Sequence, residues 1–188
     1  MTQPAQEEHS QGAGQSEVDQ RRRQAKRPLL AIAGPYGHPL HPILVTVPIG
    51  AWVAGLGFDI GSRLADNPDV FGQGAYWLIA IGLVAALAAA AVGFLDLFAI
   101  PTGTRAFRTG LIHMTLNLVV VALFAVSLLI RHDDHAAPGE TSAGLLVLSV
   151  VALAILGGAG WLGGKLTFRY GVRVADEATQ AEGFVDSR

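Results

Sequence analysis

The 188-residue sequence contains no cysteine. This absence excludes disulfides, thiolate metal sites, covalently attached c-type haem and cysteine-held iron–sulfur clusters within the chain. Charged residues are also scarce: they make up 15% of the chain, whereas soluble domains carry about 25%. A deficit of this size indicates a protein that is largely surrounded by lipid.

Several motifs of soluble enzymes are missing as well. The sequence has no glycine-rich phosphate loop, no H-E-x-x-H zinc motif and no Ser/His/Asp order typical of hydrolases. With a net charge of −2, we expect no nucleic-acid partner. The pattern favours an electron-transfer subunit over an enzyme that acts on its own.

Four long apolar segments are present instead, and 51% of the residues are hydrophobic. Each segment reaches or nears the roughly 20 residues that a membrane-spanning helix needs. The connections are short, which favours antiparallel neighbours. We therefore predict an all-α fold, an integral membrane four-helix up-down-up-down bundle, and we see no internal repeat. The predicted spans are about 42–64, 75–100, 110–130 and 143–164.

The two ends of the chain are polar. Residues 1–34 show no apolar periodicity, which predicts a disordered tail; residues 35–172 form the transmembrane domain, and 173–188 a C-terminal tail. Most Lys and Arg residues fall in these tails and in the second connection. By the positive-inside rule, we expect both termini to be cytoplasmic and the protein to lie in the inner (plasma) membrane.

Polar residues from three predicted spans fall at one depth near the cytoplasmic face. His38 and His41 precede or open the first span, Asp96 lies near the end of the second, and His113 and Asn117 lie near the start of the third. An ionisable group in a span costs roughly 2.5–3.5 kcal/mol on insertion scales, so such groups usually face the bundle interior. We predict that they share one site.

The residue types in this predicted site suit a cofactor. His41 and His113, on diagonal helices, are the candidate ligands of a haem b. Alternatively, His38, His41, His113 and Asp96 could together hold a single transition metal ion. Asp96 would accept a ring proton from His113 and orient it, while His38 and Asn117 would be accessory groups. Hydrogen bonding to a quinone is a third use of the same residues.

Structural explanations and other functions remain open. Asp96 could pair with Arg105 or Arg108, and Asp59 could pair with Arg63 one turn further along the same helix. The protein could also be a small proton-coupled permease in which Asp96 and His113 exchange protons and Asp59 is an outer station. A structural membrane subunit is the remaining alternative.

The connection between the third and fourth spans, which includes His132 and His135, has a metal-like composition. We interpret it as a solvated loop, because nothing in the sequence frames these residues. Pro48 is expected to kink the first span rather than to take part in chemistry.

The motif GHPLHP at residues 37–42, continuing to Pro48 and Asp59, resembles the start of a family of bacterial four-helix membrane proteins, domain of unknown function 2231. The likeness covers about residues 35–175 and continues through Gly93–Asp96, His113 with Asn117, and residues 162–172. Family members are sometimes joined to, or found beside, Rieske-type iron–sulfur modules and other redox proteins. The resemblance implies a redox setting, in which the partners would be a Rieske-type or other redox protein, a quinone, or further copies in a homo-oligomer.

Overall fold

The computed structural model of the protein describes residues 4–132 and 139–185, and every regular element among them is helical. The last long helix continues into a π-helical turn, Lys165–Arg169, and short 3-10 turns cover Ala31–Ala33 and Glu182–Phe184. The helices are α1 (Pro4–Lys26), α2 (His41–Leu44), α3 (Thr46–Leu64), α4 (Pro68–Ala99), α5 (Arg105–His132), α6 (Ala143–Gly164) and α7 (Glu177–Ala181).

The described part of the chain contains four helical segments that are long and apolar enough to cross a membrane. The four-helix membrane fold predicted from the sequence is therefore confirmed. The second span begins earlier than predicted, because Pro68 and Asp69 occupy the first helical turn, where a proline and an acidic residue are both favourable. The observed spans are His41–Leu64, Pro68–Ala99, Arg105–His132 and Ala143–Arg169.

Two helical hairpins form the bundle. Helix α3 packs along α4, α5 packs along α6, and the hairpins meet mainly through α4 and α5. The first and third spans consequently lie diagonally across the bundle. At its centre the indole of Trp52 stacks on the ring of Phe124, with centroids 4.3 Å apart. Gly82 lies against this indole, and any larger residue there would collide with it.

The first span is interrupted at Val45, between α2 and α3. Pro48 explains the break, because proline has no N–H to donate and its ring crowds the carbonyl four residues earlier. The hydroxyl of Thr46 donates to the carbonyl of Ile43 at 2.7 Å and supports the chain at this point. The break separates the short helix that begins at His41 from the rest of the span.

The two hairpins are related by an internal repeat that is not evident in the sequence. One offset, 72 residues, relates three pairs that meet at the bundle centre: His41 and His113, Trp52 and Phe124, and Asp59 and Arg131. Contacts between equivalent residues occur where a two-fold axis passes. Each hairpin also anchors its histidine on a carbonyl of its second helix, at Ala89 and at Ala159, so we infer an approximate two-fold axis between the hairpins, as in membrane proteins built from parallel repeats.

Both ends of the chain carry helices outside the four spans. Residues 4–26 form α1, whose composition of Ala, Gln, Glu and Arg favours a helix. The chain after residue 24 packs against the segment that follows the fourth span: Arg173 N–H donates to the carbonyl of Ala25 at 3.0 Å, and Lys26 Nζ donates to that of Ala175 at 3.2 Å. We call residues 25–36 together with 172–176 the terminal clasp.

Candidate functional site

The imidazole rings of His41 and His113 face each other across the bundle axis. Their centroids are 6.2 Å apart and their planes are at 84°. Both residues lie near the terminal clasp, and we call this the histidine end of the bundle. The structure thus brings together the two histidines that the sequence singled out as ligands.

Each ring is fixed by one backbone carbonyl of the neighbouring helix in its own hairpin. His41 Nδ1 lies 2.9 Å from the carbonyl oxygen of Ala89, and His113 Nδ1 lies 2.8 Å from that of Ala159. A carbonyl oxygen can only accept, so Nδ1 carries the proton in both rings and Nε2 keeps its lone pair. The two hairpins thus present two imidazoles of the same tautomer.

Glycines make room for both rings. Gly93 lies one turn after Ala89, and a Cβ at position 93 would come within 2.8 Å of the His41 ring. Gly163 lies one turn after Ala159, and a Cβ there would come within 3.1 Å of the His113 ring. The same local device, a carbonyl followed by a glycine four residues later, therefore holds each histidine.

The two residues predicted as accessory groups differ in their relation to the histidine pair. Asn117 donates from Nδ2 to the carbonyl of His113 at 2.8 Å, and the same atom lies 3.3 Å from His113 Nε2. His38 is exposed, and its side chain makes no hydrogen bond with a residue that the structure describes. Only Asn117 is therefore in contact with the histidine pair.

Asp96 does not orient His113, which is a correction to the sequence-based prediction. Its Oδ1 lies 2.8 Å from Arg173 Nε, while the Nδ1 proton of His113 goes to a backbone carbonyl. The partner is neither Arg105 nor Arg108. Arg173 reaches Asp96 because it adopts a left-handed backbone conformation, φ 62°, which residues other than glycine seldom do.

The side chain of Arg173 also holds the terminal clasp. Its Nη2 donates to the carbonyls of Ala33 at 2.9 Å and Gly34 at 3.0 Å. The residue is 4% exposed, and a buried guanidinium needs such acceptors. Asp96 and Arg173 thus tie the second span to both ends of the membrane domain.

Asp59 forms the second polar centre of the bundle, at the end opposite to the histidines. Arg131 binds it with two parallel hydrogen bonds, Nη1 to Oδ1 at 2.8 Å and Nη2 to Oδ2 at 2.9 Å. The hydroxyls of Thr141 and Ser149 each donate to a carboxylate oxygen at 3.1 Å. The carboxylate is 0% exposed, and every acceptor position has a partner, as a structural ion pair requires.

The predicted pairing of Asp59 with Arg63 is wrong. Arg63 donates instead to the carbonyl of Thr141 at 2.6 Å and pairs with Glu140 at 2.8 Å near the surface. Because Asp59 points to the bundle axis, the arginine of the opposite hairpin reaches it more directly than the arginine of the next turn. Sequence spacing alone favoured the local partner.

The loop with the metal-like composition is largely outside the described residues, since Asp133, Asp134 and His135 are among those that the structure does not describe. His132 Nδ1 lies 3.1 Å from the hydroxyl of Tyr76. Within 4–132 and 139–185, no group of three or more His, Cys, Asp or Glu side chains is arranged to hold a metal. The histidine pair is therefore the best-defined candidate site in this part of the chain.

Comparison with known proteins places the chain in a family. The family described as "Predicted membrane protein (DUF2231)" matches residues 37–176. No curated protein and no solved structure matches the chain. The matched range includes all four spans and both histidines of the pair. The protein is therefore a member of the DUF2231 family of predicted membrane proteins.

Proposed function

We propose that this protein is a redox-associated membrane subunit in which His41 and His113 bind one metal-containing cofactor, with haem b as the first candidate. The observation that carries the proposal is the matched anchoring of the two rings. Each Nδ1–H is held by a backbone carbonyl, and each Nε2 retains the lone pair that a metal needs.

The anchoring is what metal ligation requires. A histidine that binds a metal almost always donates its other ring N–H to a carbonyl or carboxylate, which fixes the tautomer and the ring orientation. A buried histidine that binds no metal also needs an acceptor for its N–H, so the support comes from the match between the two rings. Here both members of the pair have it, at equivalent positions of the two hairpins.

The spacing of the rings also supports one shared metal. Imidazole nitrogens bind metals at about 2.0–2.1 Å, so two rings can share one metal only if they lie close together. The observed separation is 6.2 Å. His41 and His113 are therefore close enough that both would be able to hold one cofactor metal.

The small number of protein ligands favours haem over a bare ion. A tetrahedral or octahedral metal site needs more donors than two imidazoles, and no further His, Cys, Asp or Glu completes such a group in the described chain. His41 and His113 would be the protein ligands of a haem, because a porphyrin brings four nitrogen ligands of its own.

A cofactor at the histidine end cannot alone carry an electron across the bilayer. The same end holds most of the basic residues, so in the orientation that we propose it faces the cytoplasm of the inner membrane. A quinone or a redox protein, such as a Rieske-type protein, would complete the electron path. The apolar helices around the pair would exclude water and bias the cofactor's potential.

The proton-coupled permease receives less support from the geometry. That function needs Asp96 and His113 to exchange a proton, but Asp96 is paired with Arg173. The Asp59 carboxylate, proposed as an outer station, has its acceptor positions filled by Arg131 and two hydroxyls. Asp59 and Asp96 are therefore better suited to stabilising the bundle than to exchanging protons.

The test is an absorption spectrum with metal analysis on protein purified in detergent from cells supplied with haem precursor and iron. We expect a Soret band that shifts on reduction with dithionite and is lost in His41→Ala and in His113→Ala. His38→Ala is the matched control and should retain the band, since this histidine is exposed. A stoichiometric transition metal without a Soret band would support the same ligands with a bare ion. Protein that holds neither would overturn the proposal.

A further inference from the structure

The α5–α6 hairpin carries four basic side chains at the histidine end. Arg105 and Arg108 lie in the first turn of α5, and Lys165 and Arg169 lie in the π-helical turn after α6. None of the four forms an ion pair with a residue in the described ranges. A cluster of unneutralised cations at the end of membrane-spanning helices attracts anionic groups.

Packing places these two segments side by side. Leu166 is buried beside Ile100 and Val172, and Ala106 and Phe107 pack against this cluster. The cations flank the packed residues in sequence, since Arg105 precedes Ala106 and Lys165 precedes Leu166. The four basic groups therefore belong to one patch that spans the ends of two neighbouring helices.

Two aromatic side chains accompany this patch: Trp161 lies in the last turn of α6, and Phe168 lies in the π-helical turn itself. Trp161 is 79% exposed and Phe168 is 90% exposed. Trp161 and Lys165 are four residues apart and share a helix face. Exposed aromatics next to basic residues are typical of the level at which a helix leaves the hydrocarbon core.

The π-helical turn contributes to the shape of the patch. Tyr170 N–H bonds to the carbonyl of Lys165 at 3.1 Å, five residues earlier, so the turn is wider than in an α-helix. Lys165 Nζ lies 5.6 Å from the ring centre of Tyr170. Such turns are frequent at functional sites.

From these observations we infer that the α5–α6 end binds an anionic phospholipid. The phosphate would contact Arg105, Arg108, Lys165 and Arg169, and the acyl chains would lie along Trp161. An amphiphilic ligand explains the combination, because a soluble anion would have no use for the exposed aromatics. The arginines at the opposite end offer no such patch: Arg63 is paired with Glu140 and Arg131 with Asp59.

The experiment measures lipid retention by native mass spectrometry on the full-length protein, exchanged into detergent with phosphatidylglycerol or phosphatidylcholine. We expect phosphatidylglycerol to be retained and phosphatidylcholine to be lost. Each removed cation should weaken retention about fivefold, from the roughly 1 kcal/mol that one basic residue contributes at an anionic surface. The triple variant R105Q/R108Q/R169Q should therefore lose nearly all of it.

Matched controls separate binding from folding. Arg63→Gln lies at the other end and should retain the lipid like the parent protein, while Arg169→Gln alone reports on the patch if the triple variant fails to fold. Equal retention of phosphatidylglycerol by parent and R169Q would overturn the inference. So would displacement of the lipid by inorganic phosphate at millimolar concentration, because the patch would then be a site for free phosphate.

Discussion

Asp59 and Arg131 form a buried, bidentate ion pair across the bundle axis, with N–O distances of 2.8 and 2.9 Å. The two residues occupy equivalent positions of the repeated hairpins, 72 residues apart. Since the carboxylate is 0% exposed and the guanidinium 7%, neither charge can be removed without leaving the other buried and unpaired. The pair therefore fixes how the two hairpins dock.

Loss of one partner of this pair should be strongly destabilising. We expect Asp59→Asn or Arg131→Gln to cost about 3–5 kcal/mol, the usual cost of leaving a buried charge unpaired. Unfolding in a detergent of graded denaturing strength would measure the change. Arg63→Gln, which breaks the more exposed pair with Glu140, should cost no more than about 1 kcal/mol. Equal costs at both sites would contradict the prediction.

Because the pair lies on the two-fold axis, exchanging the charges should be partly tolerated. We expect the double variant D59R/R131D to lose less unfolding free energy than the two single variants lose together, since an arginine and an aspartate again face each other. A double-mutant cycle on unfolding free energy measures this coupling, which is typically 0.5–3 kcal/mol for residues in contact. Additive effects would show that the two positions are not equivalent.

The glycines that face the histidine pair should differ in their tolerance of alanine. A Cβ at position 93 would lie 2.8 Å from the His41 ring, whereas one at position 163 would lie 3.1 Å from the His113 ring. We expect Gly93→Ala to displace its histidine and to cost about 1–3 kcal/mol, as overpacking does, with a smaller effect for Gly163→Ala. Thermal unfolding would report the change, and so would the content of the cofactor that we propose. Gly160→Ala, with open space around it, is the control.

Removal of the Arg173 side chain should open the terminal clasp. The guanidinium binds two carbonyls of residues 33 and 34 and pairs with Asp96. In Arg173→Gly the left-handed backbone remains favourable, so only the side-chain contacts are lost. We expect tryptic cleavage after Lys26, whose side chain is buried in the clasp, to become several-fold faster than in the parent protein. Arg169→Gly, at an exposed position outside the clasp, should leave the cleavage rate unchanged.

The clasp should also weaken at acid pH. The Asp176 carboxylate accepts from Thr179 N–H at 2.9 Å and from the Tyr36 hydroxyl at 2.9 Å. These bonds, that of Thr179 first, hold the pKa of Asp176 below its usual value, and bonding to its own backbone lowers the pKa of neighbouring Glu177. A folded-state pKa below the unfolded one stabilises fully above the unfolded value, about 3.9 for Asp, and the stabilisation is lost as pH falls further.

Hydrogen exchange of residues 25–36 measures this effect. Between pH 6 and pH 4.5 we expect little change in clasp protection, once the intrinsic pH dependence of exchange is removed, and a progressive loss below about pH 4. In Asp176→Asn the protection should be lower at pH 6 and should fall less on acidification. We expect the fall that persists in this variant to come from protonation of Glu177. The same pH response in parent and variant would exclude the role of Asp176.

The sequence alone was sufficient for the membrane fold. Four apolar runs specify four spanning helices because lipid requires every backbone polar group to be satisfied within its own helix. Position along a helix is also fixed by residue number, at about 1.5 Å per residue. For this reason the sequence could place His41 and His113 at one depth, and the structure indeed brings their rings to 6.2 Å.

The depth of a residue in the membrane did not determine which side chains at that depth contact each other. That choice depends on how the helices rotate and dock, and on the path of the chain beyond the last span. Asp96 lies at the predicted depth, yet its partner is Arg173, which a left-handed backbone turn directs inward. Asp59 likewise pairs with Arg131 across the axis rather than with Arg63 on its own helix.

The internal repeat was also decided only by tertiary structure. Residues that meet on a two-fold axis need not be alike. Trp52 stacks on Phe124, and Asp59 binds Arg131 because two identical charges would repel each other there. Such pairs leave little similarity for a sequence comparison to detect. Composition and spacing therefore determined the membrane bundle and the level of its histidines, while tertiary structure determined the partners of Asp59, Asp96 and the two histidines, since those contacts join segments that are distant in sequence.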